Sequence, residues 1–435
     1  MRRWLPLLLA LSTVSACGPT YPKARVAQAV VELCRAEYHL EATAVLKGHT
    51  LAVLLPATHL FESPVTITSE TDVRLLNQQL KFSSQGMDQL QHVALIVRRV
   101  ILSTDAPIEF YLVMIRDAEG GQIELRWLGH ILDLKRLNAM DISQGEFLKY
   151  RSVIYFRPVP AAGARRTVEQ LFEDVRHRAP ISTIAKHFSS QADLRSLLPF
   201  LVEQMVPASR PGEGMATLAE IRTHHVGAET VLVFARTLIP STGTQPVREQ
   251  GYYFIVETGE LHGVIRQVIP VILRPFPDAT LGRWQIPKGF ARYGPPERWA
   301  EEELFVEPVQ LPAFLAEQIA RRVRVDLGTR PELAGLVVVG EYAGDAFQFQ
   351  FRLGHAAPKH VAPPRKGAEP DPTTPQGLAT LLVQTTATVV RSYEFSGFKR
   401  VVVTEADSAA TWAVTAEQLP LYRTHHALLV PPVAS

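Results

Sequence analysis

The stretch Val26–Pro56, VAQAVVELCRAEYHLEATAVLKGHTLAVLLP, carries two hydrophobic periods in succession, and their order decides the fold class. Val26, Val30, Leu33, Cys34 and Tyr38 recur at helical spacing and make one apolar face. The pattern then changes to strand. Ala42 to Leu46 and Thr50 to Leu55 flank the turn Lys47-Gly48-His49, where glycine tolerates the positive φ of a tight connection. The segment therefore reads as an amphipathic helix followed by a hairpin.

The same order returns along the chain. Leu90, Val93, Val97, Val100 and Ile101 mark a second helix face, followed by strands at Ile108 to Arg116 and Gln122 to Leu128 around an Asp117–Gly121 turn. A third instance sets a helix near Leu194 to Met205 before strands at Thr217 to Thr223 and Glu229 to Leu238. A separate hairpin, Tyr252 to Val256 and Leu261 to Val268, has no helix of its own. Two further instances pair Pro312 to Arg322 with Leu336 to Glu341 and Ala346 to Leu353, and Leu378 to Val390 with Phe398 to Thr404 and Thr411 to Thr415. Duplication of one unit and the ordinary habit of helices to cover hairpins both produce this recurrence. Irregular spacing favours the second, since repeat proteins keep a fixed period.

Short hairpin connections predict antiparallel sheets with helices gathered on one face, an α+β fold in two or three domains. Loop-like composition at Arg157–Gly163 and the proline-rich run 356–376 suggest boundaries, with the latter a stiff linker. The division that follows is 26–157, 164–275 and 311–435, with an aromatic and arginine-rich loop region at 276–310. At 435 residues and 46% hydrophobic composition, the chain can build several cores.

The amino terminus supplies an address. Arg2 and Arg3 precede an apolar run, Trp4 to Val14, too short to span about 30 Å of hydrocarbon, and small residues follow in Val14-Ser15-Ala16-Cys17. This tetrapeptide resembles the lipobox of bacterial lipoproteins. The resemblance implies diacylglyceryl transfer to the Cys17 sulfur, removal of residues 1–16 and acylation of the new terminus, leaving 17–25 as a tether. Three acyl chains suffice for stable anchoring, whereas one holds only reversibly. In that family an aspartate after the cysteine retains the protein in the inner membrane. Gly18 stands here instead, so the outer membrane is expected.

Charge narrows the partners. Of the 45 basic residues Arg2 and Arg3 leave with the signal, so basic and acidic side chains balance at 43 each, which argues against nucleic acid. If Cys17 is lipidated, Cys34 has no partner within the chain and is expected to pack as a small apolar residue. The common signatures of zinc peptidases, serine hydrolases, phosphate loops and calcium loops are missing from the sequence, so neither catalytic residues, metal nor cofactor are assigned. Arg-Thr-His-His occurs twice, ending in His224-His225 and His425-His426. Adjacent residues on a strand point to opposite faces, so neither pair chelates one ion unaided. Glu301, Glu302 and Glu303 after Pro295-Pro296 read as the acidic first turn of a helix.

Within 276–299, Trp284, Phe290, Arg292, Tyr293, Arg298 and Trp299 combine rigid aromatic area with planar donors, the residue types that dominate interface hot spots. They are the candidate partner-binding residues. The expected function is a non-catalytic outer-membrane lipoprotein, anchored through Cys17, that binds or positions a protein or peptidoglycan partner on the periplasmic side. An envelope-polymer hydrolase with scattered catalytic residues and a glycan-binding module are the alternatives.

Overall fold

The computed structural model describes residues 21–62, 82–117, 123–189, 217–227, 229–239, 247–258, 263–278, 280–299, 304–328, 330, 333, 336–354, 371, 373–406, 409–425, 428–431 and 433. The protein is a multi-domain α+β fold of antiparallel hairpins and helices. The signal segment with Cys17, the helix expected near Leu194 to Met205, Glu301–Glu303, and most of the proline-rich run lie outside the described residues.

The first unit runs α1 (Val26–Tyr38), β1 (Thr43–Lys47), β2 (Thr50–Ala57), α2 (Ser84–Leu102), β3 (Phe110–Asp117), β4 (Ile123–His130), α3 (Ile131–Asn138) and β5 (Val153–Pro158). Helix α1 stops where His39 takes a left-handed φ of 55°, and Gly48 supplies φ of 60° in the β1–β2 turn. Ser83 caps α2, its hydroxyl accepting from the Gly86 amide at 2.9 Å. The five strands lie in chain order, β1-β2-β3-β4-β5. Hairpin spacing predicts antiparallel pairing throughout, but β2 and β3 run parallel. Helix α2 carries the chain back between them, as a parallel pair requires. Cys34 is buried on α1 among Val30, Leu51 and Val97, and burial pushes its thiol up to about 11, which makes it an inert packing residue.

The middle unit opens with α4 (Pro160–Arg176), which replaces the loop expected at Arg157–Gly163. Strand β5 reaches Pro158, and Pro160 occupies the first helical position, where its missing N–H costs nothing. Strands β6 (Thr217–His225), β7 (Thr230–Ile239), β8 (Arg248–Thr258) and β9 (Gly263–Val271) form one antiparallel meander, so the hairpin read as separate belongs to the same sheet. Helix α4 covers one face through Val168, Leu171, Phe172 and Val175. The region expected as loop continues with β10 (Leu273–Asp278), β11 (Gly282–Trp284) and two short 3-10 turns. Residues 304–310 carry no helix, so the acidic helix start expected at Glu301 is not continued.

The last unit is α5 (Leu311–Leu327), β12 (Val337–Ala343), β13 (Gln348–Gly354), α6 (Pro375–Ser392), β14 (Arg400–Glu405), β15 (Thr411–Thr415) and α7 (Leu419–Thr424). Its sheet order is β12-β13-β14-β15, with β13 and β14 parallel. The first and last units thus share helix-hairpin-helix-hairpin connectivity with a parallel central pair, while the middle unit is a meander. In the last sheet Phe349, Phe351, Leu353, Val401 and Val403 face α5 and α6, whereas Arg352 on the other face is exposed.

The first sheet has no bare face of that kind. Leu51, Ala52, Val53, Leu54 and Leu55 are all buried, so β2 is enclosed on both sides. Leu51, Val53, Val113 and Ile115 pack toward α1 and α2. On the opposite face Ala52, Leu54, Leu112 and Met114 lie under Val306, and Phe110 and Val153 lie under Phe314 of α5. Phe314 and Phe110 meet edge to face, 5.5 Å between centroids. Phe314→Ala is expected to lower unfolding free energy by about 3–5 kcal/mol. Urea unfolding monitored at sites in both units would check this, and both should lose stability together.

Candidate functional site

Period-two alternation gives the second face of the first sheet a charged end. From Phe110, Leu112 and Met114 the same face of β3 continues to Arg116, and β4 places Glu124 and Arg126 on it. Register then aligns three strands: Arg116 lies opposite Glu124, Glu124 opposite Arg157, and Arg126 opposite Tyr155. Side chains directly across a sheet meet, so one carboxylate falls between guanidinium groups on either side. Arg126 Nε donates to Glu124 Oε1 at 2.6 Å and Arg157 Nε to the same oxygen at 2.8 Å, while Arg116 Nη2 donates to Oε2 at 3.3 Å.

Glu124 is 1% exposed, and its three partners only 14%, 15% and 20%. Burial alone would raise the Glu124 carboxyl; the charges of Arg126, Arg157 and Arg116 overcome it and hold the group down at about 2. The carboxylate is therefore ionised at neutral pH and the four groups carry a net charge of about +2. Two buried atoms here have no hydrogen-bond partner, Arg116 Nε and Nδ1 of His225 from β6. His225 stacks on Phe305 with 5.9 Å between centroids. Burial first, and then the Arg116 charge, push His225 down to about 4. A neutral imidazole near a surplus of guanidinium donors makes this cluster suited to an anion rather than to a metal cation.

A second polar cluster joins the first and last units. The Tyr393 hydroxyl donates to Asp133 Oδ2, and Gln318 Nε2 donates at 2.8 Å both to Tyr393 Oη and to the Arg151 carbonyl. Arg151 also reaches Ser392 Oγ at 3.1 Å. His130 caps α3, Nδ1 accepting from the Leu132 amide at 3.2 Å, and its ring stands among Phe110, Phe314 and Tyr393. Burial pushes His130 down to about 4. An acid, a tyrosine and a histidine lie together, but Asp133 is fully buried and Tyr393 nearly so, which makes this a structural seam closed to substrate. On the sheet face toward α1 and α2, Gly129 lies opposite Tyr111, and a Cβ there would overlap the Tyr111 hydroxyl.

The structure divides the candidate partner-binding residues. Trp284, Phe290 and Trp299 are buried with Leu232, Phe234 and Tyr253, where they cover the meander face opposite α4. Trp284 meets Phe234 at 5.5 Å, Phe290 stacks on Tyr253 at 5.8 Å, and Trp299 Nε1 donates to the Tyr293 carbonyl at 3.0 Å. Their aromatic area is spent inside the protein, which corrects their expected exposure. Arg292 and Arg298 remain exposed and Tyr293 half-buried, with the Arg292 guanidinium 4.7 Å from the Tyr293 ring centroid. His224 and His225 diverge as adjacent strand residues do, His224 stacking on Trp299 and His225 on Phe305. Among the described residues no three His, Cys, Asp or Glu side chains converge as metal ligands, and no helix is long and apolar enough to cross a membrane. A concavity of about 430 Å³ between α1 and α2 is lined by Tyr38, Leu95, Ser103, Asn138 and the Glu37–Arg99 ion pair.

Comparison with protein families, curated proteins and solved structures finds no match to this chain. The arginine cluster was invisible in the sequence because alternating charges on a strand usually face solvent. The signal present was Arg116, Glu124, Arg126 and Arg157 on one pleat of three consecutive strands.

Two outcomes follow from this placement. Trp284→Ala is expected to destabilise the protein by about 3–5 kcal/mol, read as a lowered denaturant midpoint. Acidification is expected to weaken the fold between about pH 6.5 and about pH 4, because the unfolded chain protonates His130 and His225 near 6.5 while the folded protein holds both neutral down to about 4. Each histidine contributes stability that is complete above the unfolded value and lost as pH falls through that window, with a slope of at most about 1.4 kcal/mol per pH unit. Chemical denaturation across the window should show a shallower profile in His225→Gln than in the parent; identical profiles would contradict burial of the neutral ring.

Proposed function

We propose that this chain is a non-catalytic lipoprotein of the outer membrane, held by lipidated Cys17, that binds or positions another cell-envelope component on the periplasmic side. The layout of Arg2, Arg3, the apolar run and Val14-Ser15-Ala16-Cys17 is the observation that carries the reading. A basic rim supports the binding role: Lys288, Arg292 and Arg298 stay exposed around the 282–299 segment after Trp284 and Trp299 turn inward, while Arg283 pairs with Glu249 at 2.9 Å. Such a rim recruits a protein or peptidoglycan partner through its carboxylates, by charge rather than by aromatic stacking.

Cys17→Ser is expected to abolish lipid attachment and lipoprotein-type processing, checked by metabolic labelling with a fatty acid and by the mass of the mature protein. An unchanged, lipid-bearing mature form would refute the anchor. Crosslinking in intact cells should capture one stoichiometric envelope protein or peptidoglycan, and Arg292→Glu with Arg298→Glu should cut the yield by about tenfold, as loss of two solvent-exposed ion pairs of about 0.7 kcal/mol each implies.

A further inference from the structure

We propose that Arg116, Arg126, Arg157 and His225 form a binding site for a phosphate group, with Glu124 as the internal counter-charge that keeps the arginines in place while the site is empty. The inference stands on this cluster alone and does not depend on the membrane anchor or on the basic rim.

Charge is the first argument. Three guanidiniums share one carboxylate among the described residues, leaving a surplus of about +2. A phosphomonoester carries about −1.5 to −2 at neutral pH and offers three acceptor oxygens. One such group neutralises the cluster; a single carboxylate would leave half of the surplus in place.

Donor geometry is the second. Arg126 and Arg157 engage Glu124 through Nε, so this contact does not occupy their forked Nη ends, although Arg126 also hydrogen-bonds the Tyr155 side chain. Arg116 does the reverse, reaching Glu124 through Nη2 and leaving Nε buried without a hydrogen-bond partner. Nδ1 of His225, on a strand of the middle unit, is also buried and unpartnered. Native proteins leave few buried polar atoms unsatisfied, and two beside one charge cluster mark a position where oxygen acceptors belong. The guanidinium fork matches the paired oxygens of phosphate better than a point-charge ammonium does, and no lysine lies in the row.

Position is the third. The arginines sit at one end of β3, β4 and β5 and keep 14–20% of their side-chain surface in contact with solvent, whereas Glu124 beneath them is closed. Solvent therefore touches part of each arginine side chain but not Glu124, while Arg116 Nε and His225 Nδ1 lie inside as the unsatisfied donors or acceptors. His225, stacked on Phe305, lies within electrostatic range of Arg116, Glu124, Arg157 and Arg126 and so brings the middle unit to the cluster. A bound phosphate would touch two units at once and stabilise their association.

The test is thermal unfolding of the full mature chain with inorganic phosphate, against sodium chloride at matched ionic strength. Phosphate is expected to raise the melting temperature with saturation, and chloride is not. Arg116→Gln removes the guanidinium with the longest contact to Glu124, so it perturbs folding least of the three. It should weaken phosphate binding by about tenfold or more, as expected for one charge-assisted donor pair. Glu124→Gln supplies a readout that a purely structural ion cluster would not give. It should lower the melting temperature without phosphate, yet gain more from phosphate than the parent does, because the ligand then supplies the missing negative charge. Vesicles of phosphatidylcholine with phosphatidic acid distinguish the source. Competition with inorganic phosphate would show the group arriving on a lipid headgroup, and its absence would show a soluble phosphate ligand. Equal effects of phosphate and chloride, or a phosphate effect untouched by Arg116→Gln, would overturn the assignment.

Discussion

Double-sided burial of the first sheet is the constraint on which the rest of the structure depends. Residues Leu51–Leu55 and Phe110–Ile115 are buried without alternation, so both faces need a cover. Helices α1 and α2 provide one; the other comes from far along the chain, as Val306 and Phe314 close over Ala52, Leu54, Met114 and Phe110. Each fully buried large apolar side chain contributes about 1.5–3 kcal/mol, and these contributions exist only when the last unit is docked. The first and last units thus share one core cluster through Phe110 and Val153, while the face under α1 and α2 forms a cluster of its own, although a domain of about 130 residues could in principle stand alone.

Polar chemistry at the seam fixes how the units dock. Asp133 is fully buried and bonded by Tyr393, which is in turn held by Gln318, while Arg151 supplies its carbonyl to Gln318 and its guanidinium to Ser392. Burying such groups costs several kcal/mol per charge, so the network adds less to stability than to register: shifting α5 by one turn would strand an acid and an amide in the core. The same sheet face treats charge differently at its other end, where Arg116, Arg126 and Arg157 stay at the edge of solvent around Glu124. One face accordingly holds an apolar cover, a closed polar seam and a basic cluster that is only partly exposed to solvent.

Much of the fold was legible in sequence because its periods are clean. The helix from Val26 to Tyr38 and the turn at Gly48 lie where spacing and glycine place them. The parallel pairing of β2 with β3 could not be read, since a hairpin pattern describes strands within each hairpin and says nothing of how two hairpins join. Helix α4 was masked by Pro158 and Pro160, which resemble a linker but mark a strand end and a helix start. Aromatic residues at 284–299 read as a contact surface because the need to bury Leu232, Phe234 and Tyr253 on the far side of the meander lies elsewhere in the chain; the unbroken apolar run Val231–Ala235 was the available hint that this sheet is covered twice. The charged row on β3, β4 and β5 emerges only once register is known, for nothing in the spacing of Arg116, Glu124, Arg126 and Arg157 declares that they share a row.

Native-state hydrogen exchange measures the shared core directly. If the last unit closes the first sheet, amides of α5 and of β2 and β3 should open together, with one free energy equal to that of global unfolding. Exchange of β2 and β3 at a markedly higher free energy than α5 would show that the first sheet holds its core without that cover, and would contradict the interdependence of the two units.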